Sequence, residues 1–197
     1  MEFEMILYWA AMFAFIIMGL KWFEKNDEDS KKPKFAKTAA KAEGRDKLLG
    51  SLRRYASTHN FTLLENVSLG EEQVDAVLVT HAGVVSVRCY GYNGQVFANP
   101  GDREWFWQAA GESERFTAPA ERTAADTRAL REKLFAAGMK KVKVESLAVF
   151  TSPSVSLAVP KSSYPLRSKE LLNLLEQDRY MEDTGLDKEA VTAALKN

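Results

Sequence analysis

The amino-acid sequence predicts an α/β sandwich, a mixed central sheet flanked by helices, behind one N-terminal transmembrane helix. Three observations carry this reading. Residues 5–20 contain no charged side chain. From residue 44 onward the apolar spacing runs helix, four or five strands, long helix, strand, terminal helices, an order foreign to an all-β domain. The strand "VKVESLAVF" directly follows the long helix, the α-to-β order of a crossover connection.

A helix over residues 5–23 would span about 28 Å at ~1.5 Å per residue, close to the ~30 Å hydrocarbon core of a bilayer. Tyr8, Trp9 and Trp22 suit interfacial positions, and Lys21 can snorkel from the helix end. A cleaved leader wants a basic start and a small-residue cleavage site, and Glu2, Glu4 and "GLKWF" offer neither. Every Lys and Arg lies at or after Lys21. The positive-inside rule then sets the N-terminus outside and the C-terminal domain in the cytoplasm, with the bilayer as first expected partner. Residues 24–43, polar and mixed in charge, read as a solvated linker.

In the globular part, Leu48, Leu52 and Tyr55 form one stripe of an amphipathic helix. "FTLLENVSL" and "VDAVLV" read as strands around a turn at Gly70, Glu71 and Glu72, and "GVVSVRCY" as a third after His81-Ala82-Gly83. Asn93-Gly94 reads as a hairpin turn into a fourth strand, and "REWFWQ" as a fifth. Pro119 opens a long helix that Gly138 closes. "VSLAV" is a short strand, "RSKELLNLLEQ" a helix capped by Ser168, and "DKEAVTAALK" a last helix.

Composition excludes several functions. Lys plus Arg equals Asp plus Glu at 27 each, so no global charge argues for nucleic acid or acidic substrates. The single cysteine, Cys89, excludes an internal disulfide and a cysteine zinc centre. His59 and His81 alone do not make a histidine metal centre.

The landmarks "EEQVDAVLVTHAGVVSV", "GYNGQVF", "REWFW" and "VFTSP", in this order, resemble the NERD (nuclease-related) domain, a relative of the PD-(D/E)xK restriction-endonuclease fold. The resemblance covers residues 44–176 and implies a restriction-endonuclease-like sandwich there, with residues 177–197 a C-terminal helical tail. It also implies a site. In the family an Asp and a Glu on adjacent strands hold a divalent metal, and a Lys two residues after the Glu positions the attacking water or stabilises phosphoryl charge. Asp75 matches the Asp. The Glu position falls on Arg88 and the Lys position on Tyr90. Arg45 stands where the first helix carries an acid, and Arg122 nearest a glutamine of the long helix. Arginine cannot ligate a metal, and tyrosine is neutral at pH 7. The scaffold is retained while four functional positions have departed.

Each residue has two readings. Asp75 is a metal ligand, or it is satisfied by an ion pair with Arg88 on the neighbouring strand. Cys89 packs on the apolar face or acts as a nucleophile; Trp105 and Trp107 pack or stack on bases. Arg45, Arg53, Arg54, Arg88, Arg103 and Arg122 line a phosphate-binding cleft or face solvent. Two functions follow from the resemblance. The first is a membrane-anchored, cytoplasmic, catalytically degenerate binding or scaffolding module without a cofactor, its protein partner unnamed and a nucleic-acid link open. The alternative is an active Mg²⁺-dependent nuclease with a rearranged site of Asp75 plus Glu71, Glu72 or Asp46.

Overall fold

The computed structural model describes residues 34–70, 72–161 and 165–196, with side chains from residue 42. The expected transmembrane helix at 5–23, the linker as far as residue 33 and Glu71 lie outside the described residues. Among the described residues, no helix is long and apolar enough to cross a membrane.

The first described helix, α1, covers Lys34–Thr58 and so includes the end of the expected linker. Ala36, Ala39, Ala40 and Ala42 explain this, since alanine is the strongest intrinsic helix former. A compact unit runs from Ala39 to Asn197. Its first strands are β1 (Thr62–Leu69), β2 (Glu72–Val79) and β3 (Val84–Tyr90). Then come β4 (Gly94–Phe97), β5 (Glu104–Ala109) and β6 (Glu112–Thr117). Helix α2 (Pro119–Ala136) leads into β7 (Val144–Phe150), β8 (Val155–Ala158) and β9 (Leu166–Arg167). Helices α3 (Ser168–Leu175), α4 (Asp178–Met181) and α5 (Lys188–Lys196) finish the chain.

The strands form two mixed sheets, β1-β2-β3-β7-β9 and β6-β5-β4-β8. The helix between β3 and β7 gives the parallel β3–β7 pair, as the crossover order requires. The larger sheet has a helical layer on each face. Leu48, Leu49, Leu52 and Tyr55 of α1, with Leu171 and Leu175 of α3 and Tyr180, cover Ala76, Leu78, Val85 and Val87. Leu130 and Leu134 of α2, with Val191 and Leu195 of α5, cover Val74, Val77, Val79 and Val84. A third core joins the sheets through Tyr90, Phe150, Val96, Trp105 and Trp107.

Three local expectations change. Asn93-Gly94 is not a hairpin: β4 pairs with β5 and β8 and carries the chain into the second sheet. Gly94 is required there for two reasons. Its φ is +76°, and a Cβ would lie 2.6 Å from the Gln108 carbonyl oxygen. The hairpin of this second sheet is β5–β6, turned by Ala110 and Gly111, both at positive φ. Helix α3 opens with the Glu170 carboxylate accepting from the Arg167 backbone N–H at 2.7 Å, not with a Ser168 cap.

Candidate functional site

A break in strand alternation decides where each charged side chain goes. Strand β1 pairs with β2 in continuous register on either side of Asn66 and Asp75. Asn66 has a φ of +53°. Across that level the apolar faces exchange: Val67 and Val74 pack on the α2 side, and so do Leu64 and Val77. Ala76, two residues after Val74, packs instead on the α1 side. Regular strands keep residues i and i+2 on one face, so the pair of strands is kinked here. The β2–β3 ladder ends at Ala76 opposite Val87.

Asp75 therefore turns toward α1. Its Oδ1 accepts from Arg45 Nε at 2.5 Å, and its Oδ2 accepts from the Cys89 backbone N–H at 2.7 Å. The carboxylate fills the gap left where the ladder stops. Arg45 also donates to the Asn66 side-chain oxygen. The hydrogen bond to Asp75 holds the Arg45 guanidinium above its ordinary pKa. Gly44 brings this arginine into place, because a Cβ there would meet the Thr151 hydroxyl at 3.0 Å at the end of β7. Helix α1 can approach that closely only with glycine.

Arg88 faces the other way. Ser86, Arg88 and Tyr90 lie on the α2 face of β3, as alternation predicts, with Val85, Val87 and Cys89 opposite. Arg88 donates through Nε and Nη2 to the two oxygens of Asp126, at 2.8 and 2.6 Å. Nη2 also donates to Glu72 Oε2 at 3.1 Å, and Glu72 Oε1 accepts from Arg122. The expected Asp75–Arg88 ion pair is thus replaced by two separate ones. The kink sends Asp75 toward α1, while Arg88 stays on the face of α2. The Asp126 hydrogen bonds raise the Arg88 pKa against the opposing effect of desolvation.

Asp126, only 4 % exposed, is the residue that sequence reasoning missed. A signal was there. Asp126, Leu130 and Leu134 are all buried at four-residue spacing, so an acid occupies the apolar stripe of α2. Arg122 lies one turn earlier on the same side.

The other candidates separate. Cys89 packs against the α1-side core, and burial pushes its thiol well above the ordinary range, leaving it protonated. Trp105 and Trp107 are buried in the third core, where they cannot stack on a base. Glu65 holds Arg53 bidentately at 2.5 and 2.7 Å, so that arginine lies outside both ion-pair groups. Arg54 and Arg103 are exposed and join neither group. Tyr90 is buried, and among the described residues its hydroxyl has no hydrogen-bond partner. His81 is half-buried at the β2–β3 turn, its ring bonded to the His59 carbonyl.

Among the described residues, the donor set does not fit a divalent cation. Both oxygens of Asp75 already accept from N–H donors, one of them cationic. Glu72 and Asp126 are committed to arginines on the other face. Asp46 lies 3.8 Å from Arg45 Nη1 and is mostly exposed. Among the described residues, no three of His, Cys, Asp and Glu converge on a metal position.

The fold and site define a two-sheet α/β domain whose nuclease-like strand pair carries arginine–carboxylate pairs. A family model described as "Nuclease-related domain" (NERD) matches residues 40–151, more than half of the chain. The chain belongs to the NERD family, consistent with the PD-(D/E)xK-like superfamily. No curated protein and no solved structure matched the chain.

Proposed function

We propose that this NERD domain has exchanged metal-dependent phosphodiester cleavage for a binding or scaffolding role. In this reading residues 5–23 hold it at a membrane, with the domain on the cytoplasmic side. The observation that carries the reading is the engagement of both Asp75 oxygens by Arg45 and the Cys89 amide. Each oxygen of this carboxylate is already held by an N–H donor, and the neighbouring guanidinium opposes a metal electrostatically. The charge-free run over residues 5–20, with all basic residues after it, supports the anchor and its orientation.

The test uses the full chain in detergent or nanodiscs. It is assayed on single- and double-stranded DNA and RNA with Mg²⁺ or Mn²⁺. The expected result is no cleavage above buffer, with a melting temperature indifferent to Mg²⁺ or EDTA. Cleavage that requires the metal and disappears in Asp75→Asn would overturn the degenerate reading. Protease added to intact cells should spare the domain and digest it after permeabilisation; digestion of intact cells would reverse the orientation.

A further inference from the structure

The Glu72 carboxylate bridges two guanidiniums, one oxygen on Arg88 and the other on Arg122. The two arginines are not equivalent. Arg88 is mostly buried and fixed from behind by the fork to Asp126, so its position does not depend on Glu72. Arg122 and Glu72 are each more than a third exposed. Glu72 is the first residue of β2, at the tip of the β1–β2 hairpin just past the Gly70 turn. It can swing away without breaking a strand interior.

The donors exceed what the carboxylates use. Among the described residues, Nη1 of Arg88 and both Nε and Nη2 of Arg122 have no hydrogen-bond acceptor. The Tyr90 hydroxyl, two residues along the same face of β3 from Arg88, is buried and has no hydrogen-bond partner among the described residues. With Glu72 present, Arg88, Arg122, Asp126 and Glu72 sum to zero. With Glu72 withdrawn, the set carries one positive charge at a half-open rim. Two guanidiniums sharing one anion match the geometry of phosphoryl recognition, in which planar N–H pairs meet tetrahedral oxygens.

We propose that Arg88 and Arg122 form a seat for a phosphoryl anion, and that Glu72 is its tethered occupant, displaced when a phosphate-bearing ligand arrives. The seat is autoinhibited by its own chain. This inference deepens the binding role proposed above and rests on it, since it requires no metal.

The experiment measures binding of inorganic phosphate to the full chain by calorimetry in EDTA, at constant ionic strength with chloride as the balancing anion. Glu72→Gln removes the charge and retains the shape. It should bind phosphate at least tenfold more tightly than the unmodified chain, and adding Arg122→Gln should erase the gain. A Glu72→Gln variant with no gain overturns the proposal, as does a gain that survives Arg122→Gln. Melting curves establish that each variant is folded, and Arg54→Gln in place of Arg122→Gln serves as the surface-charge control, expected to leave the gain intact. Loss of the gain in that control overturns the proposal in favour of diffuse charge. A 5′-phosphorylated oligonucleotide and its dephosphorylated twin then identify the source. Preference for the first assigns a terminal phosphate, and equal binding that depends on Arg122 assigns the backbone diester. Metal-dependent cleavage would overturn the degenerate reading and this proposal with it, whereas a phosphate affinity unchanged in Glu72→Gln overturns only this proposal.

Discussion

Among the charged side chains of the site, Asp126 is the one whose removal should be felt most. Asp126→Ala leaves the Arg88 guanidinium, 17 % exposed, without its fork. Breaking a buried pair from one side typically costs ~3–5 kcal/mol, and urea unfolding should register about 3 kcal/mol here because Arg88 retains some solvent. The double change Arg88→Met with Asp126→Leu should recover most of that loss, since it removes both charges and fills the space. Loss of the same size in the double variant would count against this account. Glu72→Ala, by contrast, should cost no more than about 1 kcal/mol, because that carboxylate is nearly half exposed. At this scale the sequence was half legible. Asp75 stood out as an acid in an apolar strand, and the substitutions at Arg88 and Tyr90 were readable by counting. Their partners were not. An Asp75–Arg88 pair is what neighbouring strands suggest, and the positive φ of Asn66, where the pleat breaks, leaves no pattern in hydrophobicity.

Among the elements, the passage from β3 into β4 depends on Gly94. Gly94→Ala would add a Cβ onto the Gln108 carbonyl at a φ of +76°. Backbone strain and overpacking together predict a loss of roughly 2–3 kcal/mol, measurable as a lower urea midpoint. An unchanged midpoint would mean that β4 and β5 separate easily. The glycine was visible in the sequence, but its reason was not: Asn-Gly signals a two-residue hairpin by local rules, and here the close approach of another strand outranks them. Strand β6 was missed on related grounds. "ESERFT" is polar and largely exposed, and it is held as a strand by pairing with β5. The helices and the buried strands of the larger sheet were legible, because burial on both faces writes itself as continuous apolar runs.

The family match ends at residue 151, yet the domain as a whole does not. Val191 and Leu195 of α5 complete the α2-side core, and Leu171, Leu175 and Tyr180 complete the other. Burying a Val or Leu contributes ~1.5–3 kcal/mol. Deleting residues 177–197 should therefore lower stability by several kcal/mol, seen as a large drop in melting temperature; an unshifted melt would make those residues an appendage. The whole molecule should also respond to alkali. Burial raises Tyr55 and Tyr92 to about 12, and raises Tyr90 and Tyr180 as well. In the unfolded chain a phenol ionises near ~10. The fold therefore holds the neutral forms: their contribution is complete below about pH 10 and is lost as pH rises through about 12. Unfolding midpoints should stay level from about pH 7 to 9 and fall above about pH 10. The kink at Asn66 and Asp75 has one more consequence, for substitution at the site. Arg88→Glu would set a carboxylate against Asp126 on the face opposite Asp75, so the change costs stability without bringing the two acids of the family pattern together. Under the reading proposed above, an acidic pair on one face needs Arg45, Arg88 and Asp126 changed together, because the kink holds Asp75 and Arg88 on opposite faces of the sheet.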